Sequence, residues 1–542
     1  MISTFHGLEL LKRALFANEA MMNTAGHNIS NANTPGYSRQ RVDLTEDTPM
    51  FEPGLTRSET AGQIGTGVVM SDITRIRSSF LDQQYRDNNS TLSQWTENQT
   101  TMNQIQAVFN EPSDTGISTV MTQFFNAWAQ LANPQSSNDP SARSVVQERA
   151  QTLTNTLNST AKSLQDTQTN LLNGVQADVK QVNVYLQQIS GLTQQINTIE
   201  ASSSDKANDL RDQRDEALDQ LSKLTDVTVA EGNGTYTVKI GGQTVVNASG
   251  TATPTVTQLT ADASGNLSIP VASGELKGYS DSIANVTNYQ SMLNTMVNTF
   301  VQGNAQVSLP NTYAFPANTT SMPFDAVLPD GTKLSKGDPV SNIPAKYNGE
   351  LPTGTTITVA GFNGLHQLGY TAQSPSTNAP AFFQTSDGSS TFTAANIKVS
   401  DAITSDIRNI AATTQAQPDA NGNLQAVAGN GDLAAMASNF GSSVLDFSNA
   451  PANGITYPQG TVTGYYNAII DQIGIQGQQA NQNVTNQQAL VNQISNQRQS
   501  VSGVSIDEEM ANMIKYQQSY NAAAKMVSVM DQMFNTINSM VQ

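Results

Sequence analysis

The 542-residue chain contains no cysteine, which excludes disulfide bonds, thiol nucleophiles and thiolate metal sites. Only 13% of its residues are charged, about half of the ~25% that is usual, so its polarity comes mainly from Asn, Gln, Ser and Thr. The 44 acidic residues outnumber the 26 basic ones, and no basic run occurs, which argues against a nucleic-acid partner. No apolar stretch is long enough for a membrane span, so no membrane partner is predicted.

A secretory signal peptide is not recognisable either. The charges of Glu9, Lys12 and Arg13 interrupt the only early apolar segment, which should be the uninterrupted centre of such a signal. General export rules therefore favour a cytoplasmic protein. The lack of cysteine is instead more typical of a protein that is exported by another route, and the residues alone leave both possibilities open.

Residue patterns for catalysis are also missing. The three histidines, His6, His27 and His366, do not stand in metal-ligand spacing, and neither a phosphate-binding loop motif nor a G-x-S-x-G nucleophile motif occurs. The sequence therefore predicts a protein that is not an enzyme, with no catalytic, cofactor-binding or metal-ligating residues and no cofactor.

One acidic helix face is the nearest approach to a chemical site. Asp209, Asp212, Asp215 with Glu216, and Asp219 recur at helical spacing, with Arg211 and Arg214 between them. Paired carboxylates can bind Ca²⁺ or transfer protons, and a hydrolase using Asp212 and Asp215 is the corresponding alternative. Because the arginines interleave, we interpret the cluster as a salt-bridged surface face.

Both chain ends carry the stripe of a coiled-coil seam. Residues 4–29 predict one helix in which apolar residues alternate three and four positions apart, with Asn18 as the single polar member. Residues 505–542 predict a second such helix, capped by Ser505. The residues expected to form the contacts are Leu8, Leu11, Leu15, Asn18, Met22 and Ile29 with Tyr520, Val527, Met530, Phe534, Ile537 and Val541. Such stripes must be buried, either against each other within one chain or against neighbouring copies.

Between the ends, long helical patterns alternate with β-rich segments. The predicted fold class is mainly α with β-rich insertions, having terminal coiled-coil helices, an elongated helical-bundle body and an outward β domain. Three domains are predicted: a terminal coiled-coil assembly domain (1–40 with 505–542), a helical-bundle domain (41–226 with 273–307 and 360–504) and a β-rich outer domain (227–272 with 308–359). Within these, residues 283–307 are expected to be helical and 267–271 to form a strand.

Residues 27–42 closely resemble the N-terminal signature of the bacterial flagellar rod, hook and hook-associated proteins. The residues that carry this resemblance are Asn28, Asn31, Asn33, Pro35, Gly36, Tyr37 and Arg39. The helical region 141–224 and the segment 495–509 resemble the hook-associated proteins of the first hook–filament junction in particular. The resemblance covers about 1–240, 272–307 and 359–542, whereas 308–358 matches no familiar pattern.

The resemblance implies a structural subunit of the flagellum that joins hook to filament. It implies type III export without a cleaved signal, a cytoplasmic export chaperone at the C-terminal helix, and assembly into a ring of about eleven copies through both terminal helices. The hook protein and the second hook–filament junction protein would be its neighbours. It also implies that the terminal stripes are unpaired in the single chain. Another axial protein, hook or distal rod, and a surface adhesin acting through the β-rich insertions are the alternatives.

Overall fold

The computed structural model describes residues 6–48, 65–202, 205–232, 234–315, 319–448 and 457–541. Helices dominate it, and their apolar stripes are the reason, since most helical stability comes from packing such a face. The helices are α1 (His6–Ser30), α2 (Ser79–Phe109), α3 (Ile117–Leu131), α4 (Pro140–Ser202), α5 (Asn208–Leu224), α6 (Glu275–Gln302), α7 (Gly361–His366), α8 (Asp401–Ser405), α9 (Asp432–Asn439), α10 (Val462–Ser502) and α11 (Ile506–Val541). The predicted fold class, mainly α with β-rich insertions and terminal helices, is confirmed.

The strands are short and pair antiparallel throughout the described residues. They are β1 (Gln40–Glu46), β2 (Val68–Arg75), β3 (Thr228–Gly232), β4 (Thr235–Ile240), β5 (Gln243–Ser249), β6 (Thr255–Val256), β7 (Asn304–Ser308), β8 (Asp325–Val327), β9 (Lys333–Leu334), β10 (Thr356–Ala360), β11 (Phe383–Thr385), β12 (Ile397–Val399), β13 (Ala416–Pro418), β14 (Leu424–Ala426), β15 (Val444–Asp446) and β16 (Gln459–Gly460). Consecutive strands form the hairpin β1–β2 and the four-stranded sheet β3–β4–β5–β6. A six-stranded sheet has the order β16–β15–β7–β10–β8–β9.

The chain divides into two compact units. The first consists of residues 1–97, 174–280 and 482–542, and it holds α1, α5, α11, the β1–β2 hairpin and the sheet β3–β6. Its sheet is packed through alternating strand residues, since Tyr236, Val238 and Ile240 of β4 are buried. The second consists of residues 98–173 and 281–481. Helices α2, α4, α6 and α10 contribute residues to both.

An aromatic cluster forms the core of the second unit. Phe124 and Trp128 of α3 meet Phe362 of α7 at ring-centroid distances of 5.2 and 5.6 Å. Phe300 of α6 lies 5.5 Å from Phe362. His366 at the end of α7 is fully buried beside this cluster, donating from Nδ1 to the Pro380 carbonyl and accepting from the Ala411 amide. Burial lowers its pKa to about 4, so it is a neutral core residue.

Several predicted elements differ from the observed ones. The helix predicted over 283–307 begins earlier, at Glu275, and ends at Gln302. It ends there because residues 304–308 form strand β7, which pairs with β10. The strand predicted over 267–271 is wrong, since only an isolated bridge from Leu267 to Ala261 forms. Of the β-rich segments predicted as one outer domain, 227–272 belongs to the first unit and 308–359 to the second. An outward position for either stays a prediction.

Candidate assembly site at the paired chain ends

The two terminal helices pack against each other in one chain, and they run antiparallel. A side chain on Gly7 would meet Met530, one on Gly26 would meet Met513, and the Asn28 amide reaches the Glu509 carboxylate at 3.1 Å. As residue numbers rise along α1, those of the contacted residues on α11 therefore fall. This register sets Leu8 and Leu11 level with Met530 and Val527, which are residues of the predicted seam, and Leu15 level with the buried Ala523. The expectation that the stripes are unpaired in the single chain is thus wrong, because each stripe is the other's apolar partner.

The predicted seam residues differ in their burial. Leu8, Leu11, Leu15, Asn18, Met22, Ile29, Tyr520, Val527, Met530 and Phe534 are all half-buried. The Asn18 amide donates to the Ala14 carbonyl of its own helix at 2.7 Å. Ile537 is exposed, and the side chain of Val541 lies outside the described residues. Their part in assembly stays a prediction.

A second apolar row on α11 is left bare beside the first. Its members each stand one residue before a seam position, so they lie on the adjacent stripe of the helix. They are Met526, Val529, Met533 and Met540, with exposed fractions of 54%, 47%, 55% and 79%. We call them the exposed α11 row. Methionine is common on surfaces that bind other proteins, because its flexible side chain adapts to its partner.

The signature residue Asn28 joins the end of α1 to both β1 and α11. Its side-chain amide donates to the Gln40 carbonyl at 2.9 Å and to Glu509. Its oxygen accepts from the Gln40 amide at 2.9 Å and from the Tyr37 hydroxyl at 2.8 Å. With 1% exposure it is fully buried and its hydrogen-bonding capacity is filled, so any other residue type would leave polar partners unsatisfied.

Arg39 forms ion pairs between the signature and α11. It donates from Nε to Glu509 at 2.8 Å and from both terminal nitrogens to Glu508 at 3.3 and 3.1 Å. Its own backbone amide donates to the Ser502 carbonyl at 2.9 Å, just before α11 begins. Carboxylates in the first turn also complement the helix dipole of α11. This fork holds the start of α11 against the end of α1 and fixes their register.

The remaining signature residues form a loop that lies on α5. Gly36 adopts a φ of +78°, which favours glycine, and a Cβ there would meet the side chain of Glu216. Asn31 accepts from the Thr34 hydroxyl at 3.2 Å and donates to the His27 carbonyl, which closes the turn after α1. Asn33 and Pro35 are exposed.

Below this loop, buried arginines neutralise the acidic face of α5. Asp215 lies 2.9 Å from Arg75 and 3.4 Å from both Arg77 and Arg86. Six further pairs extend the cluster, which we call the arginine–aspartate network: Arg75–Asp212 (2.7 Å), Arg77–Asp82 (2.6 Å), Arg77–Asp212 (3.7 Å), Arg86–Asp219 (2.7 Å), Arg498–Asp82 (2.7 Å) and Arg498–Asp219 (2.5 Å). Burial alone would raise the pKa of Asp215, but Arg77, Arg75 and Arg86 outweigh it and hold that pKa at about 2.

The interpretation of this acidic cluster as a surface face is therefore wrong for Asp212 and Asp219, which are buried. Arg211 and Arg214 do not neutralise them but pair with Glu231 at 2.8 and 3.0 Å. The network arginines come from β2, the β2–α2 connection, α2 and α10, far away in sequence, and sequence reasoning missed them. One signal in the sequence could have indicated them. The chain has only 26 Lys and Arg residues, so a run of aspartates that becomes buried has to be neutralised by arginines from elsewhere in the chain.

Two kinds of site are not found among the described residues: metal centres and membrane spans. No group of three or more His, Cys, Asp or Glu side chains among them could hold a metal ion. None of the described helices is sufficiently long and apolar to cross a membrane. What the geometry shows instead is a helix pair with a fixed register and, on α11, an exposed apolar row.

The comparisons with known proteins give the class of the chain. Residues 102–308 match the family described as "Flagellar hook-associated protein FlgK helical domain", and 500–540 match "Flagellar basal body rod FlgEFG protein C-terminal". Flagellar hook-associated protein 1 of Bacillus subtilis is 32% identical over 99% of this chain and 98% of its own length. The protein of the same name from Salmonella typhimurium is 27% identical over 96% of this chain and 97% of its own.

The chain therefore belongs to the flagellar hook-associated protein 1 family, the hook–filament junction proteins of the bacterial flagellum. This family is structural and serves motility, and the chain is a flagellar component. A solved structure, the flagellar hook junction protein FlgK from Burkholderia pseudomallei, aligns with 78% of this chain and all of its own, at 20% identity and a TM-score of 0.45.

Proposed function

We propose that this chain joins hook to filament as one subunit of a ring of about eleven, assembled through α1 and α11. The observation that carries the proposal is the exposed α11 row. A soluble single chain gains nothing from four neighbouring apolar side chains in water, whereas a subunit needs such a surface for its neighbours. The Arg39 fork supports the proposal because it presents that row at a fixed register.

The burial of this row favours association. Burying one large apolar side chain contributes roughly 1.5–3 kcal/mol. The four residues of the exposed α11 row thus offer several kcal/mol per subunit, and a closed ring repeats that gain at every interface. The half-buried seam residues would gain further burial from the same neighbours.

The partners and the route of the subunit are part of the proposal. The hook protein and the second hook–filament junction protein would contact the ring from its two sides. The chain would leave the cell by type III export without a cleaved signal. A cytoplasmic export chaperone at α11 would cover the exposed α11 row until then, since a bare apolar row invites aggregation.

Removal of residues 525–542 tests the proposal. In a strain whose gene is deleted, we expect hooks without filaments and flagellin lost to the medium. A gene that lacks codons 525–542 should fail to restore filaments, because the exposed α11 row and five of the six predicted seam residues of α11 are gone. The unfolding temperature of the second unit should stay unchanged, since no residue of 525–542 belongs to it.

The full-length gene is the positive control for that experiment. Truncated subunits should be counted in cells and medium, so that failed export and failed assembly are told apart. Normal filaments on the truncated protein would contradict the proposal, as would normal swimming of the deletion strain.

A further inference from the structure

A cavity of about 360 Å³ lies between the signature loop and α5 in the first unit. Its walls include Pro35 and the two tyrosines Tyr37 and Tyr185, and its polar lining includes Asp209 and Glu216. It is large enough for the end of a long side chain and opens to solvent. Neither the arginine–aspartate network nor the helix pair requires this space.

The charge of the cavity is unbalanced, unlike that of its surroundings. Each aspartate of the arginine–aspartate network has an arginine within 3.5 Å, and Glu508 and Glu509 share Arg39. Within the described part of the chain, Asp209 and Glu216 have no Lys or Arg at ion-pair distance. The Asp209 carboxylate lies 3.7 Å from His27 Nε2 and accepts a hydrogen bond from the side-chain amide of Gln40. The Glu216 carboxylate accepts one from the side-chain amide of Gln220. The cavity thus lacks a cation.

The tyrosine rings of the cavity also favour a cationic group. Burial is the largest cause of the raised pKa of Tyr37, and the carboxylates of Asp209 and Asp212 raise that pKa further through their negative charge. Aromatic faces attract ammonium and guanidinium groups, most strongly where water is excluded. An aromatic wall beside two carboxylates is therefore a binding place for a cationic side chain.

Lys515 on α11 is a candidate cation for this cavity. It is exposed on α11, and no acidic residue stands three or four positions from it, so its own helix offers no partner. It precedes Val529 by two heptads and lies on the same stripe, which continues the exposed α11 row toward the start of the helix. A neighbour that covers the exposed α11 row would also meet Lys515.

We propose that this cavity receives the ammonium group of Lys515 from a second copy of the chain. The inference rests on the proposed assembly through α11 and names the polar contact that sets how one copy is positioned on the next. Apolar rows alone permit sliding along the helix, whereas a charge pair seated in a cavity forms at only one position.

A charge swap tests the inference. Glu216→Gln and Lys515→Gln should each lower the number of filaments per cell about tenfold, with normal subunit export and unchanged unfolding temperature. Glu216→Lys and Lys515→Glu should each be as defective alone, and combined in one chain they should restore filaments. Asp166→Asn, which removes an exposed carboxylate on α4, is the matched control and should assemble normally.

Cross-linking adds a direct readout, because the chain has no cysteine of its own. Cysteines introduced at Gln188, which lines the cavity, and at Ser519, one turn from Lys515, should link neighbouring copies in isolated flagella into a ladder of multimers. Filaments that grow without such a ladder would overturn the inference. So would normal assembly of Glu216→Gln or Lys515→Gln, or a swap that fails to restore filaments. Any of these, with the 525–542 deletion still inactive, would leave the proposed function standing.

Discussion

Replacing Asp215 by asparagine is expected to lower the free energy of unfolding of the first unit by about 2–3 kcal/mol at pH 7. The side chain keeps its size, so that packing is conserved and only the negative charge is lost. Arg75, Arg77 and Arg86 then surround a neutral group in a buried place. Removing one partner of a buried ion pair is costly because the remaining charges are no longer compensated.

The effect should depend on pH in a definite direction. The pKa of Asp215 is held at about 2 in the folded chain, below the ordinary value of 3.8. A carboxylate whose pKa is lowered by folding stabilises the folded state above its unfolded pKa, and the stabilisation is lost as the pH falls through the folded pKa. The difference between the wild-type chain and Asp215→Asn should therefore be full at pH 6–7 and shrink toward pH 2.

Urea unfolding at several pH values checks this prediction. The control is Asp166→Asn, whose exposed pair with Lys162 should be worth less than about 0.5 kcal/mol at any pH. Equal stability of Asp215→Asn and the wild-type chain at pH 7 would show that the arginine–aspartate network does not hold α5 to its neighbours.

Polar replacement of the exposed α11 row is expected to abolish the hook–filament junction without unfolding the subunit. Met526, Met533 and Met540 would be changed together to glutamine, which has similar length and helix propensity. Because these side chains are already exposed, the free subunit should lose little stability. Assembly should fail, since each subunit loses several kcal/mol of apolar burial with its neighbours.

The readouts are filaments per cell, subunit in the medium and helix content by circular dichroism. We expect exported, helical subunits in the medium and bare hooks on the cells. A matched triple change on the opposite side of the helix, Gln517→Ala with Ser528→Ala and Asn535→Ala, should leave assembly unchanged. Normal filaments on the methionine variant would mean that neighbours do not use this row.

The helices at the chain ends could be predicted because their information is local. A stripe alternating three and four residues apart over many turns permits few structures other than a helix with a seam, and the two helices do pack against each other. What the stripes do not contain is the identity of their partner. Intramolecular pairing follows from the Arg39 fork, which depends on carboxylates 469 and 470 residues away.

The acidic face of α5 shows the opposite case. The spacing of its acidic residues correctly indicated one helix face. The predicted partners, however, were the interleaved Arg211 and Arg214, because they are nearest in sequence. Those arginines point instead to Glu200 and Glu231, and the buried aspartates take Arg75, Arg77, Arg86 and Arg498 from distant elements. Long-range ion pairs depend on how the helices pack. The local pattern of a single sequence does not indicate which distant arginine an aspartate will meet.

The end of α6 was mispredicted for a related reason. Residues 304–308 continue an apolar pattern that suits a helix, but Gly303 interrupts it and β10 offers Ala305 and Val307 a ladder with both side chains buried. Sheet pairing across an intervening segment of some fifty residues outweighs local propensity.

The adhesin role of the β-rich insertions stays a prediction.

Methionine oxidation of free and assembled subunits tests the central claim most directly, since exposed thioethers are oxidised and covered ones are protected. The account predicts that Met526, Met533 and Met540 are oxidised rapidly in the dilute subunit and are protected in isolated hook–filament junctions. Met292, which is buried in the second unit, should be protected in both and serves as the internal control. Rapid oxidation of Met526, Met533 and Met540 in assembled junctions would contradict the claim that neighbouring copies cover α11.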